Sequence, residues 1–367
     1  MNKSFSVYLD LVRFLAACLV YLYHSNQRLL VGEILPASHF GHSAVIVFFV
    51  LSGFVIAYVT DTKEKTWTSY AASRLSRIYS VAAPAILLTL ILDSVGRNLY
   101  PALYADYPYD QFLIRAIGSF FFANEVWFVS ITSFSNVPYW SICYEIWYYA
   151  AFGILMFLPR KIAIILLLLL AAVLGPKIAL LAPIWGMGVA LYHWQAPKRL
   201  SVPVAWCLFW ATVVAIVLFH SYGVSPLFTE WLKTQMGTDL HHQFTFSKFF
   251  PADYILGILV TANFAAMRRV AGQIAPLMQF IERPVKTLAS YTFTLYLLHQ
   301  PLFLFWAAVL HGNPSGYGYW LATTVLMAIS VGLIGYFTEN RRRRLCQGIE
   351  SALCRIAGRL SAGYDKA

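Results

Sequence analysis

Charged side chains are scarce in this chain. Asp, Glu, Lys and Arg make up 12% of its 367 residues against 59% hydrophobic ones, about half the charge of a soluble domain, so a water-soluble globule is excluded. Carboxylates are scarcer than cations, 16 against 27, which gives a formal net charge of +11. The basic residues concentrate in short loops between apolar segments, a pattern of membrane topology rather than of nucleic-acid binding. Cysteine is sparse as well: Cys18, Cys143, Cys207, Cys346 and Cys354 show no paired spacing and no CxxC, so neither a disulfide framework nor a metal site is expected. No small-residue cleavage site follows the first apolar stretch, which reads as a signal anchor. Internal repeats and a separable polar domain are lacking too.

What the chain has in abundance is apolar segments of helix-spanning length, where barrel strands would alternate and be about ten residues long. They fall at 8–25, 42–60, 78–96, 139–158, 162–175, 178–193, 202–220, 254–267, 288–310 and 318–338. The fold class is an all-α integral membrane protein, a polytopic helical bundle of about ten transmembrane helices. Residues 112–123 are apolar but short and interrupted by Arg115 and Gly118, so they read as a re-entrant or interfacial segment. With ten spans, every strongly basic stretch (61–77, 268–287 and Arg341 to Arg344) lies on one face, expected to be cytoplasmic with both termini. Segments 97–138 and 221–252 are expected outside. Residues 1–345 are expected to form the membrane domain and 346–367 a short cytoplasmic tail.

Several polar residues sit inside or at the ends of these spans. Arg13 and His24 are eleven positions apart, which returns them to within about 20° of each other on a helix and separates them by about 16 Å along it. Each has an ordinary explanation, an arginine snorkelling beside Asp10 and a histidine among headgroups, but one stripe carrying both suggests a shared polar path. Arg74 and Arg77, three apart, are either topology determinants or a clamp for phosphates. Ser52 and Gly53, within FFVLSGF, are small enough to let a backbone or ligand approach. Trp140, Ser141 and Glu145 open an aromatic-rich span, with the carboxylate one turn from the serine. His299 lies in SYTFTLYLLHQP, where Pro301 is expected to kink the helix.

Taken in order, LDLVRFLAACLVYLYHS, FFVLSGF, RLSRIYS, WSICYE and SYTFTLYLLHQP resemble the acyltransferase-three family of integral membrane O-acyltransferases over about 8–338. The resemblance implies transfer of an acyl group, commonly acetyl from cytoplasmic acetyl-CoA, to a hydroxyl of an envelope or exported glycan or glycolipid such as lipopolysaccharide or exopolysaccharide. It also implies a bacterial inner-membrane location, here without a fused SGNH-type domain. Acetyl-CoA is then a co-substrate and no permanently bound cofactor is expected. Membrane lipid, the glycan, a second copy or glycan-assembly proteins are the partners it suggests.

Such chemistry needs a base near neutrality, an oxyanion donor and a cationic mooring for the phosphate-bearing donor. His24 is the candidate base, Arg13 holds the donor or stabilises developing charge, and Glu145 orients His24 or binds the sugar. Arg74, Arg77, Ser52 and Gly53 are candidates for the donor site, and Trp140, Ser141, Tyr291 and His299 for acceptor or supporting roles. Direct transfer in a ternary complex is simpler than an acyl-enzyme, since no serine or cysteine stands beside a base in sequence, and His24 as a transient acyl carrier is the alternative route. A transporter or flippase of a lipid-linked saccharide is the alternative, with the charged residues as its path.

Overall fold

All ten apolar segments are helices in the computed structural model, which describes residues 1–364 apart from 31, 33 and 34. They are α1 (Lys3–Leu29), α2 (Gly41–Thr62), α3 (Trp67–Leu99), then after a short α4 (Phe112–Phe120), α5 (Trp140–Phe157), α6 (Arg160–Leu174), α7 (Pro176–His193) and α8 (Val202–Ser221). Two short helices, α9 (Val224–Met236) and α10 (Thr238–Gln243), precede α11 (Phe250–Val270), α12 (Ala275–Ser290), α13 (Thr292–Leu310), α14 (Tyr317–Thr338) and α15 (Arg342–Tyr364). No strand occurs among the described residues. The chain is an all-α polytopic membrane protein.

Among the described residues, seven helices, α1, α2, α3, α8, α11, α13 and α14, are long and apolar enough to cross a bilayer on those criteria alone, against the ten expected. The other three have local reasons for falling short. α6 has only 15 residues, a rise of about 22 Å, while α5 carries Glu145 among aromatics and α7 opens on Pro176 and Lys177. α4 lies within the segment 112–123 that was expected to be re-entrant or interfacial; it is nine residues long and leaves Leu113, Ile114 and Ile117 more than half exposed. An apolar face of that kind suits the headgroup boundary.

Three expected loops contain helices. α12 occupies the basic stretch 268–287 because Met278, Ile281 and Val285, spaced at one helical face, pack against Val7, Tyr8 and Leu11 of α1. α9 and α10 lie within 221–252, and the boundary expected at 345/346 falls inside α15, which packs along α3. Residues 365–367 of the expected tail lie outside the described residues.

The centre is α13, where residues 296–304 are all buried between α1, α3 and α14. Pro301 does not end this helix. Having no N–H, it leaves the carbonyl of Leu297 without its helical donor, and Asn136 Nδ2 takes that place at 2.7 Å. Asn136 belongs to the irregular segment 121–139, which is tied down by buried polar contacts. Ser135 donates from N (2.8 Å) and Oγ (2.5 Å) to Asp93, and Lys177 Nζ bonds Glu125 Oε2 at 2.6 Å and the Val129 carbonyl at 2.7 Å.

Gly53 has a packing role, contrary to its expected place in a donor site. A Cβ there would run into the Trp185 carbonyl, and one on Gly188 would run into the Val50 carbonyl, so the pair lets α2 and α7 cross in backbone contact.

Candidate active site

Two cavities occupy the bundle around α1, α2 and α13. The first, about 300 Å3, is lined by Arg13 of α1, Arg77 of α3, Glu145 of α5 and Arg342 of α15. The second, about 420 Å3, is lined by His24 and Arg28 of α1, His42 of α2, Trp140 of α5, Lys248 and Gln300. Val45 and Tyr296 line both. The shared stripe of Arg13 and His24 therefore runs past this divide, with its arginine in the basic cavity and its histidine in the other.

In the histidine cavity His24 Nδ1 lies 3.0 Å from His299 Nε2, the rings 5.1 Å apart and tilted by 30°. His299 Nδ1 faces the carbonyls of Leu295 at 3.1 Å and Tyr296 at 2.9 Å. Carbonyls only accept, so the neutral His299 carries its proton on Nδ1 and offers the Nε2 lone pair. His24 must then donate from Nδ1. Its Nε2 keeps a lone pair, the arrangement a general base requires. The partner is a histidine one helix away; Glu145, expected to orient His24, lines the other cavity.

Glu145 is held there by hydroxyls. Ser52 Oγ donates to its Oε1 at 2.6 Å, Tyr149 OH bonds the same oxygen, and Trp185 Nε1 donates to Ser52 Oγ at 3.2 Å. Ser141, one turn away, meets Tyr296 OH at 2.5 Å, close to the divide. Arg13 retains its i−3 contact with Asp10 at 3.3 Å.

The two arginines of the RLSR motif part company. Arg77 lines the basic cavity, whereas Arg74 is buried against Glu64 in an ion pair, its guanidinium 5.6 Å from the centre of the Tyr70 ring. Arg74 thus faces Glu64 and does not line the cavity, where Arg342, which the sequence offered only within a basic stretch, stands with Arg77. Tyr291 lines neither cavity; its ring packs over Gly335 of α14. Trp140 lines the histidine cavity, its ring stacked 4.3 Å from Phe246.

Sequence reading missed Tyr296, Arg342 and the pairing of His42 with Asp253, whose carboxylate oxygens lie 3.0 and 3.1 Å from Nε2. Tyr296 had a signal, lying one helical turn before His299 with the same buried face. His42 and Asp253 are 211 positions apart and had none.

A family model described as an acyltransferase domain matches residues 6–339. Exopolysaccharide production protein ExoZ of Rhizobium meliloti (strain 1021) is 27% identical over 170 residues, covering 43% of this chain and 46% of that protein. The chain thus spans less than half the length of this curated relative. No solved structure matches it.

Proposed function

We propose that this chain, which belongs to the acyltransferase family whose model spans residues 6–339, transfers an acyl group, acetyl above all, from cytoplasmic acyl-CoA to a hydroxyl of an exported polysaccharide. The observation that carries the reading is the pair of cavities meeting at Val45 and Tyr296. One holds three guanidinium groups, suited to the phosphates of a coenzyme A thioester. The other holds a histidine with a free lone pair beside an aromatic wall, suited to a sugar hydroxyl. The printed name of the relative, an exopolysaccharide production protein, supports a polysaccharide acceptor. The basic end of the bundle lies in the cytoplasm of a bacterial inner membrane on this reading, with both termini on that side.

In the reaction His24 Nε2 takes the proton of the acceptor hydroxyl as its oxygen attacks the thioester carbonyl. The tetrahedral oxyanion collapses, the C–S bond breaks, and the imidazolium returns its proton to the leaving thiolate, yielding the ester and free coenzyme A. His299 keeps His24 in the productive tautomer, and its lone pair steadies the imidazolium. No acyl-enzyme is needed.

The test is transfer of radiolabelled acetyl from acetyl-CoA into polysaccharide by membranes containing the protein. Arg77→Gln should weaken acetyl-CoA binding by about tenfold, the worth of one charge-assisted hydrogen bond. Arg74→Gln should instead lower stability and leave donor affinity near wild type once folded protein is matched. Equal loss of affinity in both variants would overturn the division of roles, and absence of acetyl transfer at any acceptor would overturn the reading.

Tyr296 provides a second check. It lines both cavities, and its hydroxyl is tethered to Ser141. Tyr296→Ala should join the cavities and raise the ratio of acetyl-CoA hydrolysis to transfer severalfold by admitting water, whereas Tyr296→Phe keeps the ring and should leave that ratio low. An unchanged ratio in the alanine variant would remove the ring from this role.

A further inference from the structure

A third cavity, about 490 Å3, lies at the same basic end and has no part in the chemistry above. It is bounded by Phe5 of α1, Phe54 and Tyr58 of α2, Tyr192 of α7, Lys198 of the following turn, and Arg268 and Arg269 of α11. Basic residues at span ends usually do no more than fix topology, pointing into bulk water. These three instead line a half-open cleft between helix ends, and no carboxylate shares that lining.

Their charges are also left uncompensated. Arg268 Nη1 donates to the carbonyls of Leu191 at 2.7 Å and Tyr192 at 3.3 Å, and Arg269 Nε donates to the Leu200 carbonyl at 2.7 Å. These bonds cap the end of α7 and the turn after it, fixing the side chains while neutralising none of the charge. Lys198, Arg268 and Arg269 form no ion pair among the described residues. Arg268 also lies 5.7 Å over the Phe54 ring, so apolar wall and cation adjoin.

We infer that this cavity binds the phosphate headgroup of an anionic phospholipid of the cytoplasmic leaflet. Phosphate complements held guanidinium forks and a free ammonium. The location at the inner ends of four spans places the acyl chains of such a lipid alongside α1, α2, α7 and α11, where basic pockets between helices are suited to lipid headgroups. The inference is independent of acyl transfer and of its acceptor.

The experiment is native mass spectrometry of detergent-purified protein titrated with phosphatidylglycerol, with phosphatidylcholine as the uncharged comparison and with inorganic phosphate and adenosine 3′,5′-bisphosphate as soluble phosphate sources. Phosphatidylglycerol should be retained in preference to phosphatidylcholine. Lys198→Gln and Arg269→Gln should each weaken that retention about fivefold, as one surface charge near an anionic lipid does. Lys3→Gln removes a charge at the same end but outside the cavity, where Lys3 pairs with Glu282, and should change nothing. Arg269→Lys keeps the charge and guards against a loss caused only by the missing cap on Leu200. Equal retention of both lipids, or no loss in Lys198→Gln, would overturn the inference. Binding of the bisphosphate but not of the lipid, lost in the same variants, would reassign the cavity to a soluble phosphate.

Discussion

His24→Gln is expected to leave a folded, membrane-inserted protein that still binds acetyl-CoA while acyl transfer falls by roughly 10² to 10⁴, the usual contribution of general acid-base catalysis. Glutamine can imitate one hydrogen bond of the imidazole but cannot accept and return a proton. Arg13, Arg77 and Arg342, which line the donor cavity, are untouched by the change. His299 offers a sharper contrast. It donates from Nδ1 to the carbonyls of Leu295 and Tyr296 and accepts from His24 at 3.0 Å, so it positions the base. His299→Gln can still offer its amide oxygen to His24 Nδ1 and should lose less activity, with the loss in kcat and little in KM for acetyl-CoA. Its pH profile should keep the ascending limb that His24 sets, whereas His24→Gln should lose that limb. The measurement is labelled acetyl transferred at matched protein levels across a pH series. Near wild-type transfer by His24→Gln would refute the assignment, and a larger loss at His299 with the limb abolished would move the base there.

Lys177→Met should destabilise the protein more than any other substitution named above. Lys177 and Glu125 are almost wholly enclosed, and the ammonium also bonds the Val129 carbonyl, while Ser130 Oγ donates to the other carboxylate oxygen at 2.6 Å. Removing one member leaves a buried charge without its partner, which costs about 3–5 kcal/mol. The consequence reaches the site, because Ser130, Val137 and Pro138 of the segment so anchored line the histidine cavity. Phe122, Trp127 and Phe134 in that segment have φ of 54°, 52° and 55°, conformations that persist only when surrounding contacts impose them. Removing both charges in Lys177→Met/Glu125→Gln should restore most of the stability, since an uncharged pair leaves no ion stranded. Thermal unfolding in detergent, followed with the retained capacity to bind acceptor, distinguishes these outcomes. A single variant as stable as wild type would show that Glu125 finds compensation elsewhere.

The sequence by itself determined the environment and the helices. Apolar runs of spanning length admit few structures in a solvent that cannot satisfy backbone groups, so scarcity of charge and the length of each run led to an all-α bundle. Local periodicity also set Arg13 and His24 on one stripe, because both belong to a single helix whose geometry is fixed by its own hydrogen bonds. Ser52 and Glu145 were each legible as polar residues within spans.

Their bond to one another was not, since it joins positions 93 apart. Only the tertiary structure decided which polar residues meet. Helix rotation sent Arg77 into a cavity and left Arg74 to Glu64, although both share the motif and a side-chain type. Docking of α13 beside α1 gave His24 a histidine for a partner, and the return of the chain after α14 brought Arg342 to Arg77. α12 was hidden for a different reason: its basic residues masked a narrow apolar face that has meaning only against Val7 and Leu11 of α1. Spacing along the chain fixes the direction of a side chain within its own helix. The partner at the end of that direction depends on packing between helices far apart in sequence, where the side chains contribute shape and charge but no periodic signal.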